Sequence, residues 1–271
     1  MLLLFIIIWV VWVVLVWTMQ HRLMFPRGMI GPDRLLANVP PGVESIWLDT
    51  DDGERVEAWL IPAEGASADQ PAGAVVFTHG NAEVIDDNLD LRWLTELGLH
   101  VLLVEYRGYG RSTGSPSQRV IVPDTIAFVE QLRKRPDVDP DRIAYLGRSI
   151  GCSVLAQVAL QEPPKAMLMM VPPSRLDSMA WRFGVPPFMV RSPFRSDLAV
   201  QELDVPLLLL PRDQDSIIPA SHAPRLHELA SQSTLIMLKG NHNWLESDDE
   251  MRRERQAIES TLRDSGVLTD P

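Results

Sequence analysis

Gly147-Arg148-Ser149-Ile150-Gly151 constrains this chain more than any other segment. The apolar run Ile143-Ala144-Tyr145-Leu146 delivers it, and the small-residue, helix-forming run Cys152-Ser153-Val154-Leu155-Ala156 leaves it. A strand that reverses into a helix over so few residues forms a tight, strained turn. Gly147 and Gly151 are needed on either side of Ser149 because a Cβ there would collide with the strand or the helix. The turn lifts Ser149 Oγ clear of the sheet edge. It also aims the Ile150 amide, at the N-terminal end of the helix, at the place where negative charge collects on an attacked carbonyl.

The remaining pattern predicts a sheet to hold this elbow. Residues 43–48 and 54–61 read as short strands around Thr50-Asp51-Asp52-Gly53, a hairpin turn with Asp52-Gly53 at the positive-φ positions. After a polar loop over 62–73, apolar strands at 74–78, 101–104, 143–146, 167–171, 207–210 and 235–238 alternate with helical stretches. Those helices are expected at 89–97, 123–133, 150–160, 224–230 and 250–262. Continuous apolar strands separated by amphipathic helices imply an α/β fold, a mostly parallel doubly wound sheet covered on both faces. Residues 172–205 break the rhythm with Pro173, Pro186, Pro187 and Pro193 among Trp181, Phe183, Phe188 and Phe194. This stretch is expected to be a short cap over the carboxyl edge of the sheet, with apolar walls for a pocket.

The 271 residues suffice for one well-buried catalytic domain, placed at 43–271, once the first twenty and a linker over 21–42 are set aside. A net charge of −11 without a long Lys/Arg run argues against nucleic acid as a partner. The single cysteine, Cys152, excludes an intrachain disulfide and reads as a small buried apolar residue. Residues 1–20 are different: Leu2 to Trp17 carry no charged side chain, and Met1 to Met19 as a helix of ~1.5 Å per residue would be about 28 Å long, close to the ~30 Å hydrocarbon core of a bilayer. There is no basic start and no small-residue cleavage site, so the segment reads as an uncleaved single-pass transmembrane anchor in contact with the lipid bilayer. Arg22, Arg27 and Arg34 follow it, which by the positive-inside rule puts the catalytic domain on the cytoplasmic face.

A serine hydroxyl needs a base, and the base an oriented carboxylate. Beyond 207–210 comes Pro211-Arg212-Asp213-Gln214-Asp215, and beyond 235–238 comes Lys239-Gly240-Asn241-His242. Both follow a strand at its carboxyl end, where the elbow also points. Of the six histidines, His242 stands in a Gly/Asn-rich loop free to reach Ser149, while Asp213 and Asp215 compete as the acid. His79-Gly80-Asn81 follows the strand at 74–78, and Gly80 permits the tight turn that lets the Asn81 amide join that of Ile150 in an oxyanion hole.

With these residues the chain resembles single-pass α/β-hydrolase-domain proteins related to serine aminopeptidase-like hydrolases and including eukaryotic protein depalmitoylases. The resemblance is carried by Thr78-His-Gly-Asn-Ala82, Glu105-Tyr-Arg-Gly-Tyr-Gly-Arg-Ser-Thr-Gly114, Leu146-Gly-Arg-Ser-Ile-Gly151, Asp215-Ser-Ile-Ile-Pro219 and Gly240-Asn-His-Asn243. It implies the α/β-hydrolase fold, Ser149 as nucleophile, His242 as base, Asp215 rather than Asp213 as acid, and the Asn81 and Ile150 amides as oxyanion donors. It further implies cleavage of an acyl ester, thioester or small amide through an acyl-enzyme, without metal or organic cofactor. A serine peptidase and a non-catalytic hydrolase-like binding protein are the alternatives. Two positions depart from the pattern: Pro211-Arg212 replaces a usual His-Gly, and Glu105 a usual aspartate.

Overall fold

The computed structural model describes residues 1–269, with the side chains of 29, 32, 179, 182 and 183 outside the description. Its strands are β1 (Glu44–Asp49), β2 (Arg55–Ile61), β3 (Ala72–Thr78), β4 (His100–Val104), β5 (Val138–Arg148), β6 (Ala166–Met170), β7 (Leu207–Leu210) and β8 (Ser233–Leu235). Its helices are α1 (Leu2–Met24), α2 (Trp93–Glu96), α3 (Gln118–Arg133), α4 (Ile150–Ala159), α5 (Ser196–Glu202), α6 (His222–Leu229) and α7 (Asp248–Asp264). All eight strands form one sheet in the order β1-β2-β4-β3-β5-β6-β7-β8. β2 runs antiparallel to β1 and β4, and every other neighbouring pair is parallel.

The apolar strands are buried on both sides because successive residues point to opposite faces. Val76, Tyr145, Met167, Met169 and Leu209 pack with residues of α3, α4, α5 and α6 on one face. Phe77, Leu146, Leu168 and Leu208 pack with Leu94 of α2 and Ile258 and Leu262 of α7 on the other. This is the expected doubly wound α/β architecture. All the parallel strands end at one edge, so the loops after β3, β5, β7 and β8 converge there.

Several elements differ from the sequence expectation. In the hairpin only Gly53 takes positive φ, at 85°; Asp52 instead accepts the Thr50 hydroxyl at 2.6 Å. The helix expected at 89–97 is a 3-10 stretch, Ile85–Arg92, and the single turn α2, interrupted at Asn88 (φ −113°, ψ 21°). α3 starts five residues before the expected Pro123, which lies inside the helix. β8 ends at Leu235, and Leu238 makes a separate bridge to Arg212. Residues 172–205 contain 3-10 turns at Asp177–Phe183 and Pro187–Met189 and the unforeseen α5. Of the cap aromatics, Phe194 is buried while Trp181 and Phe188 face outward; the side chain of Phe183 lies outside the described residues.

α1 is long and apolar enough to cross a membrane and almost wholly exposed. It runs to Met24, past the expected end at 20, and the segment that follows packs on the domain. Phe25 is buried with its ring 6.5 Å from that of Phe194, Arg27 donates to the Gly114 carbonyl at 2.6 Å, and the Leu36 amide donates to Asp86 at 2.8 Å.

Candidate active site

The turn between β5 and α4 takes the strained shape its sequence predicts. Ser149 has φ 53° and ψ −120°, a conformation costly for a residue with a Cβ and held here by its surroundings. Its amide donates to the Met170 carbonyl at 2.9 Å. A Cβ at Gly147 would lie 2.5 Å from the Cys152 amide nitrogen, and one at Gly151 would run into the Thr78 carbonyl oxygen. The Thr78 hydroxyl in turn donates to the Gly151 carbonyl at 2.9 Å, tying the elbow to the end of β3. Burial pushes the Cys152 thiol well above its ordinary pKa.

Ser149, His242 and Asp215 form a continuous hydrogen-bonded chain. His242 Nε2 is 3.1 Å from Ser149 Oγ, and His242 Nδ1 is 2.7 Å from Asp215 Oδ2. With Nδ1–H donating to the carboxylate, Nε2 presents a lone pair to the serine hydroxyl. Asp215 Oδ1 accepts the amides of Ile217 and Ile218 at 2.9 and 2.8 Å. Burial opposes the carboxylate charge, but the bonds from His242, Ile218 and Ile217 outweigh it and hold the Asp215 pKa below its usual value. Asp213 faces elsewhere: its Oδ1 accepts the Gly240 amide at 3.0 Å, bracing the loop that carries His242.

The Ile150 amide lies in the first turn of α4, where amides lack an intrahelical acceptor. Across from it, the His79-Gly80-Asn81 turn is held from several directions. His79 and Glu105, both wholly buried, meet at 2.7 Å, and the other ring nitrogen of His79 is 2.7 Å from the Gly80 carbonyl. Burial opposes a charged imidazolium here, yet Glu105 and the Gly80 carbonyl more than offset it and raise the His79 pKa. The Tyr106 hydroxyl donates to the His79 carbonyl at 2.7 Å. The Tyr109 hydroxyl lies 2.9 Å from the Asn81 carbonyl, and the Asn81 amide side chain donates to the carbonyl of Met24 at the end of α1. Among the described residues no group of His, Cys, Asp or Glu is arranged to hold a metal ion.

The family described as serine aminopeptidase, S33, matches residues 69–192. The Mycobacterium tuberculosis protein Rv2307c is 32% identical over 266 residues, 94% of this chain and 92% of its own. The Arabidopsis thaliana alpha/beta hydrolase domain-containing protein WAV2 is 31% identical over 208 residues, 69% of this chain and 67% of its own. The chain belongs to the α/β-hydrolase family. The Pyrococcus furiosus esterase Pf2001 shares the fold of this α/β-hydrolase with a TM-score of 0.64 at 18% identity, over 87% of this chain and 98% of that one.

The two departures from the usual α/β-hydrolase pattern have visible consequences. Arg212, in place of a glycine, is buried and donates from Nη1 to the carbonyls of His242 and Asn241 at 3.0 and 3.2 Å. It thus grips the His242 loop from below, while its Nη2 lies 3.5 Å from Glu254. Burial lowers the Arg212 pKa, with Glu254 opposing. Glu105, one methylene longer than aspartate, accepts from His79, the Tyr106 amide and the Ile85 amide at once. Sequence reading missed these supporting roles of Arg212, Asp213, Glu105 and Tyr109. The departures themselves were the only signal for Arg212 and Glu105.

Proposed function

We propose that this α/β-hydrolase is a membrane-anchored serine hydrolase that cleaves carboxylic esters or thioesters through an acyl-enzyme. The hydrogen-bonded chain Asp215–His242–Ser149, ending at the elbow, is the observation that carries the reading. Ser149 Oγ attacks the acyl carbon as His242 Nε2 takes its proton. The Asp215 carboxylate stabilises the imidazolium, and the Ile150 and Asn81 amides receive the oxyanion. His242 then gives the proton to the leaving oxygen or sulfur, and water repeats the sequence to release the acid. In this reading residues 1–20 anchor the chain in a bilayer, 21–42 connect, and 43–271 form the catalytic domain on the cytoplasmic face. The length and apolarity of α1 support the anchor, and Arg22, Arg27 and Arg34 beyond its apolar run support the orientation.

The test is hydrolysis of p-nitrophenyl esters from acetate to palmitate by the full chain in detergent micelles, beside its Ser149→Ala variant. Turnover that falls by about 10³-fold or more in the variant, with folding unchanged, is expected. Equal turnover by the two proteins would refute the assignment. The match to a family described as a serine aminopeptidase favours a second reading, peptide cleavage by the same groups. Aminoacyl p-nitroanilides in the same assay separate it from ester cleavage.

A further inference from the structure

We propose that the face of the cap around Phe188 rests in the interfacial layer of the lipid bilayer that α1 crosses, forming a second membrane contact. The inference rests on the reading of α1 as an anchor.

The cap meets α1 at a particular height. Gln20 Nε2 donates to the Met189 carbonyl at 3.3 Å, Gln20 Oε1 accepts the Arg191 amide at 2.7 Å, and the Arg191 guanidinium lies 3.8 Å above the Trp17 ring. These contacts hold residues 189–191 beside residues 17–20 of the helix. The apolar run of α1 ends at Met19, so this is the level at which hydrocarbon gives way to headgroups. Only the last four residues of α1, about 6 Å of helix, lie between Gln20 and the domain.

A bilayer that surrounds α1 therefore reaches the 3-10 turn Pro187–Met189. Phe188 on that turn is 86% exposed, and Trp181 on the neighbouring 3-10 stretch is 62% exposed. An isolated exposed aromatic is ordinary on a soluble surface. One that directly precedes residues held by three contacts to the boundary of a membrane helix is at the depth where aromatic rings partition. The charges agree: Arg191 over Trp17 and Arg22 on the last turn of α1 sit where lipid phosphates lie. The net charge of −11 therefore does not keep this face from an anionic surface. The cap leaves the sheet after β6, at the edge that carries Ser149, so the contact brings the candidate site to the membrane surface.

Site-specific fluorescence tests this. Cys152 is buried with its thiol pKa pushed up, so an introduced cysteine is labelled selectively. The full chain, carrying Phe188→Cys, Val10→Cys or Arg252→Cys labelled with a nitrobenzoxadiazole dye, is placed in phosphatidylcholine vesicles containing nitroxide lipids. Arg252 is exposed on α7, which packs on the face of the sheet opposite to the one that Met24 and Phe25 join. The expected result is strong quenching at 10 by deep nitroxides, loss of most emission at 188 with shallow nitroxides, and no change at 252. Quenching at 10 with 188 as unquenched as 252 overturns the inference and leaves the anchor standing. No quenching at 10 overturns both.

Discussion

Replacing Glu105 should expose how strongly the His79-Gly80-Asn81 turn depends on a buried ion pair. Its carboxylate accepts His79 at 2.7 Å, the Tyr106 amide at 3.1 Å and the Ile85 amide at 3.2 Å, all out of contact with water. Glu105→Ala leaves three buried donors without that acceptor, and breaking a buried pair from one side costs about 3–5 kcal/mol. For a domain of this size each kcal/mol moves Tm by about 2–4 °C, so a fall of roughly 6–20 °C is expected. The pH dependence has a definite sign. The His79 pKa is raised in the folded protein, so the pair contributes fully below the unfolded value near 6.5 and is lost as pH rises through the higher folded value. The gap in Tm between wild type and Glu105→Ala should therefore narrow from pH 6 to pH 9. Thermal unfolding of the full chain in detergent, followed by near-ultraviolet dichroism, measures it. A gap under about 2 °C at pH 6, or one that widens with pH, would refute the reasoning.

Other substitutions probe the remaining supports. Gly151→Ala drives a Cβ into the backbone of Thr78 and His79, and a loss of about 1–3 kcal/mol is expected in urea unfolding. Arg212→Gln frees the His242 loop, so kcat should fall about tenfold, equivalent to about 1.4 kcal/mol of lost positioning. The Tm should move less than for Glu105→Ala, because Arg212 pays desolvation with its Nε unpartnered among the described residues. Asp215→Asn should lower kcat by about 10³- to 10⁴-fold. Because the folded pKa of Asp215 is depressed, its contribution holds above the unfolded value near 3.9 and is lost as pH falls through the folded one, so the Asn variant should lose less stability on acidification.

The elbow was legible because its constraint is local. Gly147 and Gly151 are required by atoms within a few residues of Ser149 or on the strand beside it, and the observed φ of 53° answers that spacing. The parallel sheet was equally legible, since strands buried on both faces must be apolar throughout. Helix boundaries were less so: ahead of the single turn α2, Asn88 departs from helical φ/ψ and its buried side chain donates to the Val84 carbonyl, a bond that periodicity does not record. The candidate acid shows the limit most clearly. Asp213 and Asp215 stand two residues apart in one loop, and residue type alone left both open until family resemblance favoured the second. In the folded chain Asp213 turns to the Gly240 amide and Asp215 to His242.

By itself the sequence determined the sheet, the elbow and the residue types gathered at one edge of it. Tertiary structure decided which of them touch, that Arg212 grips the His242 loop, and that the end of α1 reaches Asn81. Ser149 and His242 are 93 residues apart. Whether such groups meet depends on strand order and on the path of two loops after β7 and β8, which are set by packing across the whole sheet rather than by any neighbouring residue.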